Sequence, residues 1–168
     1  FRGVRSPWTT VHTGQAISRR MERLVLIDGS ALIFRAYFAI PANLATKAGL
    51  PTNAIFGFAT MFKKLMATKR PTYGAVIFDA KGGTFRDAQY PGYKAQRPVM
   101  ASELSVQLPW IDKVVAAHGF PMLRVEGYEA DDVIGTLTER ALAAGLEVHI
   151  LSGDKDFNQL VGDRVKMI

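Results

Sequence analysis

Cysteine is absent from the 168-residue sequence, which excludes a disulfide framework, a thiolate zinc site and a cysteine nucleophile. That absence fits a reducing, cytoplasmic setting. Long apolar runs are absent as well: nothing approaches the ~20 residues that a membrane-spanning helix needs, so a membrane protein is excluded. Histidine is scarce, and His12, His118 and His149 share no spacing that suggests a ligand set. Neither the P-loop nor the dinucleotide-binding glycine signature occurs. Acidic residues are missing from positions 1–20, a mixture rich in Ser, Thr, Gly and Arg without convincing periodicity. Met21 stands directly before the first strand-like run. Residues 1–20 are therefore expected to be an upstream extension, non-native or disordered, with Met21 the natural start. A targeting peptide is the other reading of so Arg-rich and acid-poor a stretch.

What is present is an ordinary globular composition, 48% apolar and 21% charged, in a length that suits one domain over 21–168. The charge is unevenly placed. Residues 1–22 carry four Arg and one acid; residues 23–97 carry 11 basic and three acidic residues; residues 98–168 carry six basic and 11 acidic ones. A basic half before an acidic half hints at nucleic acid or another anionic partner, although such charges also serve simply to solvate a surface.

From Met21 onward, short apolar runs alternate with amphipathic ones. Leu24–Ile27, Ala75–Phe78, Pro121–Val125, Glu147–Leu151 and Arg164–Ile168 read as strands. Asn53–Lys69 reads as a helix with Ile55, Phe58, Phe62, Leu65 and Met66 on one face. Ser102–His118 reads as a second helix, kinked at Pro109 and stopped at Gly119, and Asp131–Ala144 as a third, closed by Gly145. Nearly continuous apolar strands alternating with helices predict an α/β fold: a three-layer, mostly parallel central sheet with helices on both faces. Gly82–Pro98 resists that scheme. It is polar, basic and aromatic, holds Arg86, Tyr90, Tyr93, Lys94 and Arg97, and is longer than a compact domain keeps without a function or disorder.

The acids follow the strands. Asp28 and Asp79 end the first two; Glu129, Asp131 and Asp132 follow the third after a short turn; Asp154 and Asp156 follow the fourth. In a parallel sheet the strand C-termini share one edge, so seven carboxylates gather there. Each alone has a plainer explanation, as a turn residue, a helix N-cap or an acid at the positive end of a helix. Four successive strand ends bearing acids point instead to bound cations, which relieve the mutual repulsion. All-oxygen ligands suit Mg²⁺ or Mn²⁺, and carboxylate-held metal pairs are the apparatus of phosphodiester hydrolysis.

Several motifs occur in order: Leu-Ile-Asp28-Gly-Ser with Arg35-Ala-Tyr37, Val-Ile-Phe-Asp79-Ala-Lys81, Thr-Phe-Arg86-Asp87, Tyr93-Lys94-x-x-Arg97-Pro98, Gly127-Tyr-Glu129-Ala-Asp131-Asp132-Val-Ile-Gly and Gly153-Asp154-Lys155-Asp156. From about Arg23 to the last residue the chain resembles the N-terminal 5′-nuclease (5′-3′ exonuclease) domain of bacterial DNA polymerase I, of the flap-endonuclease and PIN-like superfamily. The resemblance implies roles. Asp28, Asp79, Glu129, Asp131 and Asp132 would build a first metal site, and Asp154 and Asp156 would contribute to a second, for two Mg²⁺ or Mn²⁺ per complete site. With Asp79 central to the chemistry, Lys94 and Arg97 would reach the scissile phosphate from an arch over 82–98. Tyr93 would stack on a base near the 5′ end, while Arg35 and Arg86 would hold phosphates. The implied partner is DNA, as 5′ flaps, nicked or gapped duplex and RNA primer–DNA hybrids, met by a cytoplasmic, nucleoid-associated bacterial monomer.

The sequence also departs from that family. A further acidic pair and a helix–hairpin–helix element follow the fifth strand in relatives, and this sequence ends at Ile168, before either. The expectation is a fragment whose second metal site is incomplete, with a catalytically weak or inactive DNA-binding fragment as the alternative function. A haloacid-dehalogenase-type phosphatase would need a second Asp two residues after Asp28, where Ser30 stands.

Overall fold

The computed structural model describes residues 21–80, 82–90 and 100–168. Five parallel strands form one sheet in the order β3-β2-β1-β4-β5. They are β1 (Arg23–Asp28), β2 (Tyr73–Ile77), β3 (Met122–Leu123), β4 (Glu147–Leu151) and β5 (Val165–Met167). The helices are α1 (Gly29–Ala39), α2 (Asn53–Lys69), α3 (Phe85–Gln89), α4 (Ser102–Ser105), α5 (Leu108–Ala117) and α6 (Ala130–Ala143), with a 3₁₀ helix over Lys155–Leu160.

Alternation along the strands builds two cores. Val25, Ile27, Val76 and Phe78 belong to a buried cluster with Leu32, Ile33 and Ala36 of α1, Phe58 and Phe62 of α2, and Ile111 and Val115 of α5. Leu26, Ala75, Ile77, Val148, Ile150 and Val165 belong to a second, with Ile134 and Ala141 of α6 and with Phe157. Both faces are covered, which is why the central strands read as unbroken apolar runs rather than alternating ones. Phe62 alone, fully buried, accounts for roughly 2–3 kcal/mol of transfer free energy.

The expected three-layer α/β sheet is what forms, and α2 occupies Asn53–Lys69 as its apolar spacing predicts. Two local expectations need correction, and two stretches that the sequence left without assigned elements prove to hold helices. The stretch Gly29–Ala39, assigned no structure from sequence, is a helix, because Asp28 caps it: its Oδ1 accepts from Ala31 N at 2.9 Å. Ser102–His118 is not one helix kinked at Pro109 but two, broken at Val106–Gln107. Pro109 lies in the first turn of α5, where its missing N–H leaves nothing unsatisfied. β3 is two residues long rather than Pro121–Val125, as an edge strand with one neighbour. Within Gly82–Pro98, Phe85–Gln89 forms the short helix α3. Tyr93, Lys94 and Arg97, with Lys81 and the extension 1–20, lie outside the described residues. Among the described residues no helix is long and apolar enough to cross a membrane.

Candidate metal centre and nucleic-acid interface

The strand order reverses direction beside β1: the chain steps from β1 to β2 to β3 on one side, then returns to place β4 on the other. The carboxyl end of such a switch point is where open α/β sheets hold ligands. Asp28 ends β1 here, and the register Ile27↔Leu151 sets it beside Ser152, the residue following β4. A small pocket opens nearby, between α1 and the end of β4, lined by Ala31, Leu32, Arg35, Leu151, Ser152 and Gly153. Arg35 is exposed at its mouth.

Four of the carboxylates are fixed by local donors. Asp28 is 7% exposed; besides Ala31 N on Oδ1, its Oδ2 accepts from the Ser152 hydroxyl at 2.8 Å. Asp79 Oδ1 accepts from Ala130 N at 2.9 Å, which pins the end of β2 to the start of α6, and the Ser30 hydroxyl lies 3.5 Å from Oδ2. Asp154 caps the 3₁₀ helix by accepting from Asp156 N at 2.9 Å. Asp132 reaches back to accept from Glu129 N at 3.1 Å, as the third residue of a capping box does. It also takes a two-pronged guanidinium contact from Arg86, at 2.6 and 2.7 Å, while Arg86 Nη1 lies 3.8 Å from Glu129 Oε2. Arg86 lies over the Phe85 ring, which meets Tyr128.

These groups feel one another. Burial pushes the Asp28 carboxyl up, against the pull of its two hydrogen bonds, and the charges of Asp79 and Asp154 add to the rise. Asp131 keeps an exposed surface, yet its carboxyl is pushed up to about 6. Partial withdrawal from water is the first cause, followed by the charges of Asp28, Asp154, Asp79 and Glu129. A group resisting ionisation among like charges is what a hard cation relieves, and the donor set is all oxygen. Among the described residues, however, no three acidic or imidazole side chains converge as a ready-made ligand set. Asp132 is turned to Arg86 and Asp154 to its own helix, which accounts for part of that spread.

Of the residues singled out from sequence, Asp28, Asp79, Asp131 and Asp154 thus share one neighbourhood, with Glu129 beside it. Asp156 is exposed two residues beyond Asp154, in the first turn of the 3₁₀ helix, and Arg86 is engaged by carboxylates. Sequence reasoning missed Ser152. A serine after a strand carries no signal until β1 and β4 are known to be neighbours.

The model of the family described as the 5′-3′ exonuclease, N-terminal resolvase-like domain, matches residues 23–168. A 5′-3′ exonuclease of Aquifex aeolicus is 45% identical over 148 residues, covering 88% of this chain and 51% of that protein. A DNA polymerase I of Chloroflexus aurantiacus is 47% identical over 145 residues, covering 86% of this chain and 15% of that protein. The chain therefore spans about half the length of the former relative and a much smaller part of the polymerase. Among solved structures, a bacteriophage T5 flap endonuclease in complex with DNA and metal ions superposes with a TM-score of 0.67 at 21% identity. That match covers 88% of this chain and 54% of the phage protein, so the fold is shared. The chain belongs to the 5′-3′ exonuclease family and carries its N-terminal, resolvase-like domain.

Proposed function

We propose that this chain is a divalent-metal-dependent 5′ nuclease acting on DNA, as a 5′-3′ exonuclease and 5′-flap endonuclease in primer removal and repair. The observation that carries the proposal is the gathering of acids from four strand ends at the switch point of a parallel sheet. The phage relative's complex with DNA and metal ions supports it. Asp28, Asp79, Glu129, Asp131 and Asp132 are assigned to one cation and Asp154 and Asp156 to a second, Mg²⁺ or Mn²⁺. When bound, such a pair supplies an activated water and neutralises charge on the leaving oxygen.

The protein's own groups hold the substrate in line. Arg35, at the mouth of the pocket beside Gly153, is placed to receive a phosphate, its Nη2 lying 3.4 Å from where a Gly153 β-carbon would stand. Arg86 exchanges between Asp132 and a phosphate, since a guanidinium fork fits either anion. Lys94 and Arg97 are assigned to the scissile phosphate and Tyr93 to a base near the 5′ end, on the family resemblance. Aromatic stacking with cationic backbone contacts grips single strands without sequence preference.

A 5′-flap DNA substrate with Mg²⁺ tests the reading: the wild-type chain cleaves it and Asp79→Ala does not. Undiminished cleavage by Asp79→Ala would overturn the assignment. Salt-dependent binding without cleavage by the wild-type chain would establish the alternative, a DNA-binding fragment.

A further inference from the structure

We propose that Ser152 is a positioning residue that couples the two cation sites, one hydroxyl holding Asp28 and the Asp154 loop to each other. The proposal rests on the metal reading above and extends it to a residue outside the ligand set. Ser152 is 8% exposed. Its hydroxyl donates to Asp28 Oδ2 at 2.8 Å and accepts from the Asp154 N–H at 3.1 Å. A serine hydroxyl has one proton and two lone pairs, so giving the proton to the carboxylate turns a lone pair to the amide. The two bonds then polarise in the same sense, amide to hydroxyl to carboxylate.

The geometry is closed at both ends. Asp28 accepts at Oδ1 from Ala31 N, so both its oxygens are held while each keeps a lone pair for a cation. Asp154 in turn accepts from Asp156 N, so the hydroxyl holds the backbone of the turn that carries both acids of the second site. Ser152 therefore links the carboxylate that ends β1 to the turn that carries the pair following β4. Without the hydroxyl, one oxygen of Asp28 is released and the Asp154 amide loses its acceptor. Loss of such an outer partner typically weakens metal affinity by about 10–100-fold.

Ser152→Thr and Ser152→Val in the full chain test this, because the two side chains match in volume and differ in the hydroxyl. Mn²⁺ is titrated by electron paramagnetic resonance, with thermal unfolding recorded alongside. The Thr variant is expected to bind as the wild type does, and the Val variant about tenfold or more weakly at both sites. Folded Val protein that binds Mn²⁺ as tightly as Thr protein would overturn the assignment, even with a lowered melting temperature, since a merely structural role gives that pattern. Ser152→Ala replaces Val if Val does not fold. A wild-type chain that binds no Mn²⁺ overturns the metal reading itself and Ser152 with it. Wild-type binding with equal Val binding overturns only the role of Ser152.

Discussion

Gly29 lies directly against the ring of Phe78: a β-carbon added at Gly29 would stand 2.3 Å from Phe78 Cε1. The two residues are chain neighbours of the acids that end β1 and β2, Asp28 and Asp79. The missing side chain lets the first turn of α1 settle onto β2 and brings those acids side by side. Gly29→Ala is expected to destabilise the fold by about 1–3 kcal/mol, as overpacking of a closed core does, and to lower Mg²⁺-dependent activity further than stability alone explains. Adding Phe78→Leu to Gly29→Ala should recover part of the stability. Urea denaturation of the wild type, the single variant and the double variant checks this, and a Gly29→Ala midpoint equal to wild type would refute it.

On the proposed assignment of Asp132 to a cation, Arg86 and added metal compete for the same carboxylate. Its guanidinium holds Asp132 at 2.6 and 2.7 Å, so Arg86→Gln removes one positive charge and one competitor together. Mn²⁺ binding is expected to tighten severalfold. DNA binding should weaken, with the slope of log affinity against log salt reduced by about one. Both titrations moving in the same direction would contradict the exchange between Asp132 and phosphate.

Far from the acids that end the strands, Glu147 sits at the amino end of β4, 7% exposed. It accepts from Arg23 Nε and Nη2 at 3.1 and 2.9 Å, with Lys166 Nζ at 3.1 Å and His149 Nε2 at 2.9 Å. The His149 hydrogen bond, then Arg23 and Lys166, hold its carboxyl down at about 2 against the opposing effect of burial. Burial pushes His149 below its ordinary value, and its Nδ1 is buried without a partner. In both cases the unfolded chain takes up a proton before the folded one does. The contribution of this pair should therefore be level above the ordinary histidine range and decline as pH falls through it, opposed there by the raised Asp131 carboxyl, which takes up its proton first in the folded chain. It should fall again between about 4.5 and 2, where Glu147 contributes on the order of 2 kcal/mol. Urea midpoints against pH test this: Glu147→Gln should flatten the lower step and His149→Leu the upper one. Unchanged profiles would refute the assignment.

Gln107 is fully buried and caps α2 from another part of the chain. Its Oε1 accepts from Ala54 N and Ile55 N at 2.9 and 3.2 Å, and its Nε2 donates to Asn53 Oδ1 and Glu103 O. Asn53 in turn donates to Tyr37 O and Ile40 O, at the end of α1. Gln107→Leu keeps the bulk but strands these buried groups, at a cost of about 2–4 kcal/mol. Amide exchange at Ala54 and Ile55 should accelerate more than elsewhere in α2, and uniform protection would count against the cap.

How far the sequence could be read follows from where its signals lie. α2 was legible because a 17-residue helix repeats its apolar face four times. α1 was hidden because Phe34 and Phe38 are exposed, so apolar residues appear all round the helix and the period blurs. The break at Gln107 was illegible because a buried glutamine serving a distant helix looks locally like any polar helix residue. The acids were legible because a parallel sheet delivers every strand end to one edge, whatever the strand order. The role of Ser152 depends on that order, and so does the pairing of Arg86 with Asp132 on docking of α3, through Phe85 N and Gly127 O, at the start of α6.

The central position of β1 has a bearing on how the protein is made. During synthesis β1 emerges before the other four strands and gains β2 on one side early, but its other neighbour waits for residues 147–151; Arg23 and Glu147, side by side in the sheet, are 124 positions apart. Until then Val25, Leu26 and Ile27 present an open, strongly apolar edge to the cell. Pairing over such a separation is slow, and unpaired edges invite association between nascent chains. The same strand that anchors Asp28 in the finished sheet is thus an unpaired edge in the growing chain until β4 is made.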